Sequence, residues 1–255
     1  MKFLENTKLE ALASALSVET QDCRLETRVE SYSCKMVQSD KKLWKEWMQA
    51  GGPSTSPHDP QPLSPPIIDN PWAYPQHGPG PPSTSPCNRL TVLRNRHRSR
   101  STSGSDQDQE MAGAVLCDSI SRKMLFDLVA LMNASFPDYD FTDAKGENFH
   151  RVPSLEVATS QINSQLAALV DNYGTMKSHV WSIVDDEIKL KECNIYSYNP
   201  DYSSDPFAED GCIWSFNYFF YNKRLKRIVF FACRAQSIRN GDDSSFDDQI
   251  WNMDT

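Results

Sequence analysis

The sequence predicts an α+β fold: a single domain with a central antiparallel β-sheet flanked by helices, interrupted by a long disordered insert. Three observations predict it. Two aromatic, β-prone runs flank a short polar centre between Ile213 and Arg234. Helical apolar spacing recurs before and after a proline-rich stretch. That stretch, between Pro53 and Pro86, holds 12 of the 16 prolines.

The first folded piece, residues 1–50, opens with Leu9, Leu12 and Leu16 at helical spacing, with Asn6 or Thr7 placed as N-cap. Residues Arg24 to Lys35 alternate as a strand does. Leu25, Thr27, Val29, Ser31 and Ser33 fall on one face, and Arg24, Glu26, Arg28, Glu30, Tyr32 and Cys34 on the other. A helix over Ser39 to Ala50 carries Leu43, Trp44, Trp47 and Met48 on one stripe, and Gly51-Gly52-Pro53 stops it. One strand and two short helices cannot bury a core alone. This piece is therefore expected to dock onto the second.

Residues 51–112 are dominated by Pro, Ser, Thr and Gly without periodicity, and read as a disordered regulatory linker. The second folded piece spans 113–239. It reads as a helix from about Ser119 to Asn133, another from Pro153 or Ser154 that Gly174 ends, and a third after Thr175. A strand over Cys193 to Tyr198 follows, then the hairpin with its centre at Asn222-Lys223-Arg224. Both hairpin strands are apolar at nearly every position. They therefore belong in the middle of a sheet covered on both faces. Residues 240–255 carry five acidic groups and no basic ones, and read as an acidic disordered tail.

Charge narrows the function classes. The net charge is −8, the folded pieces are neutral or acidic, and a general nucleic-acid binder is not expected. The seven cysteines form no C-x-x-C pair and are odd in number, which predicts free thiols in a reducing compartment rather than disulfides or a zinc site. The N-terminus lacks the apolar core of a secretory signal, and no run of about 18 apolar residues spans a membrane. None of the common catalytic motifs occurs, and three of the five histidines lie in the linker. No catalytic, metal or cofactor site is expected. The acidic clusters Asp185-Asp186-Glu187 and Asp201, Asp205, Glu209, Asp210 read as a solvated helix face and a turn-rich loop.

The linker carries regulatory chemistry. Ser56, Ser64 and Ser85 each precede a proline, as proline-directed kinases require. Ser99, Ser101 and Ser103 each follow an arginine by three residues, suiting arginine-directed kinases. A phosphate would add about −1.5 to −2 charge beside Arg94, Arg96, Arg98 and Arg100, a cluster that suits nuclear import and that phosphate would mask. The hairpin centre Lys223, Arg224, Lys226 and Arg227 offers a surface for an acidic partner or, alternatively, charges that keep an aromatic hairpin from aggregating. Two other classes remain open: an RNA-binding module whose strand aromatics stack bases, and a generic phosphorylated adaptor.

Several long runs carry a resemblance. WSFNYFFYNKRLKRIVFFACR, preceded by IYSYNPDYSSDPFAEDG, resembles the Maf family of global repressors of RNA polymerase III. So do MKFLEN at the start, RVESYSCKM at residues 28–36 and SRKMLFDLVALMNASFPDYDF. The likeness covers residues 1–48 and 117–235 and omits the linker. It implies a non-enzymatic monomer that binds RNA polymerase III and blocks its recruitment to the promoter-bound initiation factor. It also implies linker phosphorylation by TOR-type and other nutrient-sensing kinases, reversal by a phosphatase, and shuttling between nucleus and cytoplasm. By the same resemblance Leu63-Ser64-Pro65-Pro66 is similar to a TOR-directed site, and Ser64 is the leading phosphosite.

Overall fold

The computed structural model describes residues 1–50, 56–65, 118–200, 205–207 and 209–238. Its centre is an antiparallel sheet laid across two helical layers. The hairpin dominates it. β8 (Cys212–Asn222) and β9 (Arg227–Ser237) pair along their length, and Phe219 stacks on its register partner Phe230 with ring centroids 4.8 Å apart. On the far side of β9 lies β3 (Cys23–Ser33), in unbroken register from Cys23 opposite Ser237 to Ser33 opposite Arg227. β1 (Lys2–Leu4) and β2 (Val18–Glu19) both pair with β3. On the other flank β7 (Asn194–Tyr198) pairs with β8, and β6 (Phe149–Val152) closes the edge. The order is β1-β3-β9-β8-β7-β6, with β2 off that path.

Adjacent residues of a strand face opposite sides, so a strand apolar throughout must be covered twice. One face of the sheet meets α1 (Thr7–Leu16), α4 (Leu155–Leu169) and α5 (Tyr173–Ile188). Leu9, Leu12, Leu16, Ile162, Leu166, Val180, Val184 and Ile188 pack there on Leu25, Val29, Phe220, Val229 and Phe231. The other face meets α3 (Arg122–Ser135) and the aromatic segment behind it. Leu125, Leu128, Met132, Phe136 and Phe141 pack there on Phe149, Tyr198, Phe219 and Phe230. Burying each such side chain is worth about 1.5–3 kcal/mol, which locates most of the stabilisation in these two clusters. α2 (Gln38–Ala50) lies at the rim of α3, where Trp44 and Trp47 stack on each other and reach Phe126.

The expected fold class holds, and β3, from the first piece, is an interior strand of a sheet built mainly by the second. Local boundaries differ from expectation at three places. Gly174 does not end a helix. The chain reverses at Asn172, which takes a left-handed φ of 56°, and Gly174 lies in the first turn of α5. An Asn accepts that conformation more readily than most residues. The helix expected from Ser119 starts at Arg122, because Ser121 caps it by accepting the Met124 N–H (3.2 Å) and Ser119–Ser121 forms strand β5. The largest correction concerns the linker. Its residues 56–65, expected to be disordered, are packed on the domain: β4 (Pro60–Pro62) pairs with β5, and Leu63 is 1% exposed. Backbone bonds that the proline-rich composition conceals hold it there. The expected sites Ser85, Ser99, Ser101, Ser103, Arg94, Arg96, Arg98 and Arg100, and the tail 240–255, lie outside the described residues. Among the described residues no helix is long and apolar enough to cross a membrane.

Since β3 separates β9 from β1, a fragment of residues 113–239 would leave the full β9 edge and the α1 side of the core open. The expected outcome is that this fragment alone shows no cooperative urea transition, and that adding residues 1–50 in trans restores one. Cooperative unfolding of the fragment alone would contradict this docking.

Candidate functional site

The hairpin turn brings Lys223, Arg224, Lys226 and Arg227 to one end of the sheet. Asn222, fully buried, fixes the turn. Its side-chain amide donates to the Ile188 carbonyl (2.9 Å) and its side-chain oxygen accepts from the Leu225 N–H (3.0 Å). Lys226 closes the loop with a φ of 51°, and its carbonyl accepts from the Cys34 N–H at 2.9 Å. The four cations separate into two kinds. Arg224 holds Glu192 through two bonds (2.7 and 3.0 Å), and Arg227 holds the Glu187 carboxylate (2.8 Å). Lys223 and Lys226 are exposed and make no ion pair among the described residues. They are the unpaired cations of this tip. The sheet register adds Lys2, which pairs with Ser33, itself opposite Arg227.

Glu187 was expected on a solvated helix face. Instead it is a junction between the two pieces of the chain. Its carboxylate accepts from Asn6 (2.9 Å), from the Ser31 hydroxyl (2.6 Å) and from Arg227. The acidic loop is likewise not simply solvated. Glu209 and Glu26 both pair with Arg234, at 3.1 and 2.7 Å, and Asp205 is buried, accepting the Phe207 N–H at 2.8 Å. No sequence signal revealed these pairs, which join residues up to 208 positions apart.

At the opposite flank of the sheet the docked linker segment places Ser64 on the edge strand β6. Its N–H donates to the Phe149 carbonyl (2.8 Å) and its hydroxyl donates to the Glu147 carbonyl. Ser56, at the start of the segment, is half-exposed, and its N–H donates to the Asp59 carboxylate (2.6 Å). The sequence-predicted residues thus do not converge on one site: the basic tip and the two described Ser-Pro serines occupy separate regions.

Burial pushes the thiols of Cys34, Cys193 and Cys233 up to about 12, so none supplies a thiolate near neutral pH. Burial lowers His150, which hydrogen-bonds Asn199 at 2.8 Å. Among the described residues no group of three or more His, Cys, Asp or Glu stands close enough to hold a metal ion. Burial pushes the Asp127 carboxyl up to about 6, although its bond to Lys123 works in the opposite direction.

Comparison with known proteins decides the family. A family model described as Maf1 regulator matches residues 25–232, from the third residue of β3 to the interior of β9. The chain belongs to the Maf1 family. A Dictyostelium discoideum protein named repressor of RNA polymerase III transcription is 38% identical, over 98% of this chain and 91% of its own. The Schizosaccharomyces pombe repressor of RNA polymerase III transcription maf1 is 30% identical over the whole of both chains. The crystal structure of citrus MAF1 shares the fold with a TM-score of 0.55 and 25% identity, over 91% of this chain and 98% of that one. The resemblance carried by the hairpin and the N-terminal runs therefore holds. The Maf1 match takes in the first piece from Leu25 onward, the docked linker segment and the second piece with its basic tip.

Two outcomes follow from this electrostatics. Replacing Glu187 by Ala leaves Arg227 without its half-buried partner and removes the tie to Asn6 and Ser31. A loss of about 2 kcal/mol is expected by urea denaturation, and a loss below about 0.5 kcal/mol would contradict the junction role. Asp127 has a folded-state pKa raised above its unfolded value, so its protonation favours the fold below about pH 4, and that contribution is lost as pH rises through about 6. Asp127→Asn should remove about 2–3 kcal/mol of pH-dependence across that window; an unchanged profile would contradict it.

Proposed function

We propose that the chain represses transcription by RNA polymerase III, binding the polymerase and keeping it from the promoter-bound initiation factor, with phosphorylation of the linker relieving the block. The observation that carries this reading is the extent of the match. Relatives named as repressors of RNA polymerase III transcription align over 98% and 100% of the chain, leaving no folded part unaccounted for. These relatives are named as regulators, and buried, protonated thiols fit binding rather than catalysis.

A rigid sheet held from both faces suits a docking body whose surface is preformed. The two unpaired lysines at the tip, Lys223 and Lys226, are its outward charges and suit an acidic patch on a partner. The basic tip thus supports the partner-contact reading, though only for two of its four cations. Ser64 and Ser56 suit proline-directed kinases, and the arginine-flanked serines suit arginine-directed ones, with a phosphatase restoring the repressing form. Passage between nucleus and cytoplasm would follow from masking of Arg94, Arg96, Arg98 and Arg100. The RNA-binding alternative needs accessible strand aromatics. Phe219, Phe220, Phe230 and Phe231 are 0% exposed beneath the two helical layers, so they cannot stack on bases.

The test is reconstituted transcription of a transfer-RNA gene with purified polymerase III and initiation factor. Dephosphorylated protein at saturation should lower transcript output, and the doubly reversed variant Lys223→Glu, Lys226→Glu should bind the polymerase about tenfold or more weakly with an unchanged melting temperature. Full transcription at saturating protein would overturn the reading. Unimpaired binding of the variant would remove the tip from the contact surface.

A further inference from the structure

The docked linker segment is held more completely than a passing contact requires. The N–H groups of Arg122 and Lys123, at the start of α3, donate to the carbonyls of Asp59 and Pro57, both at 3.1 Å. Those amides have no partner within the helix, and the segment supplies one. Leu63 donates its N–H to Asp118 (2.8 Å) and buries its side chain in the cluster containing Ile120, Met124 and Phe149. Gly146 lies directly under the segment, where even one added methyl would collide with the Pro62 carbonyl oxygen. Ser64 ends the docked run with both its N–H and its hydroxyl engaged.

We propose that residues 56–65 form a latch that gates modification of Ser64: the serine is phosphorylated only after the latch has left α3 and β6, and the phosphate then keeps it from returning. This rests on the reading of Ser64-Pro65 as a kinase site. A kinase takes its substrate as an extended strand in its own cleft. The docked latch already spends that backbone on β5, β6 and α3. In the reaction the Ser64 oxygen attacks the γ-phosphorus of a nucleoside triphosphate. The bond from that phosphorus to its bridging oxygen breaks, the diphosphate leaves and the hydroxyl proton passes to the kinase's base. In the docked state that proton is donated to the Glu147 carbonyl, while the Ser64 N–H is held by the Phe149 carbonyl of β6.

The phosphorylated form cannot redock in the same way. The donor to Glu147 is gone, and about two negative charges would stand against a backbone carbonyl. Arg151 of β6 is already shared between Asp118 at 4.0 Å and Asn194 at 3.4 Å. Release would leave the first amides of α3 unpartnered and open the Leu63 site. Modification of the linker is thereby converted into a change in the folded body.

The experiment measures initial rates of Ser64 phosphorylation by a purified proline-directed serine/threonine kinase, read by mass spectrometry on the full chain. Gly146→Ala and Leu63→Ala chains, and wild-type and L63A peptides of residues 56–69, are run beside it. Ser85-Pro86 in the same chains is the internal reference. If the open population limits the reaction, the peptides should react at least about tenfold faster than the wild-type chain. Both substitutions should raise the chain's rate at Ser64 by about tenfold while leaving Ser85 unchanged. Equal rates at Ser64 in all chains and peptides would overturn the latch. Absence of phosphate on the peptides would overturn the reading of Ser64 as a kinase site, and the latch with it. A chain carrying phosphoserine at position 64 supplies an independent arm: the Arg122 and Lys123 amides should lose their protection from hydrogen exchange, and retained protection would also overturn the proposal.

Discussion

The structure depends on one ladder, the pairing of β3 with β9 from Cys23–Ser237 to Ser33–Arg227. It joins residues about two hundred positions apart, and an open loop of that size carries a closure cost that only extensive contact offsets. The two layers supply that contact. Shifting the register by one residue would turn Leu25 and Val29 away from α1 and α5, and would bring Glu26, Arg28 and Glu30 into the place they leave. The alternation in β3 therefore specifies the pairing, and it is fixed by the hydrogen bonds of Asn6 and Ser31 to Glu187 and by the Arg234–Glu26 ion pair.

This constraint separates what the protein presents from what it hides. The aromatic hairpin looks from composition like a binding surface, yet it is the middle of the core. What reaches solvent is its turn, where buried Asn222 anchors the loop and two of four cations are consumed in holding it to Glu187 and Glu192. The docked linker segment covers the opposite edge, where an unpaired β6 would otherwise be open to strand addition. A rigid body with one exposed basic tip and one covered edge is well suited to regulation by contact.

The long elements were legible in the sequence for a physical reason. The eleven-residue strands and the helices carry enough repeats of their period to stand out. The short ones were not: β1, β2, β4 and β5 have two or three residues each, and β4 is Pro-Gln-Pro, a composition that argues for loop. Its place at an edge, where prolines cost no ladder bond, is what permits it. The docking of Ser64 against β6 was not legible. Glu187 was read as solvated because an acidic triplet at a helix end usually is; its partners Asn6, Ser31 and Arg227 are assembled only by the tertiary fold. Among the four basic residues of the tip, the division into paired and free also depends on where Glu187 and Glu192 come to rest.

The central claim, that the two pieces of the chain are one cooperative body through β3 and β9, is tested most directly by native-state hydrogen exchange at Arg28, whose N–H faces β9, and at Phe231, whose N–H faces β8. Both amides should exchange only through global opening, with equal free energies that match denaturant unfolding. Exchange at Arg28 through a lower-energy opening, with Phe231 still protected, would show β3 peeling away on its own and would contradict the account.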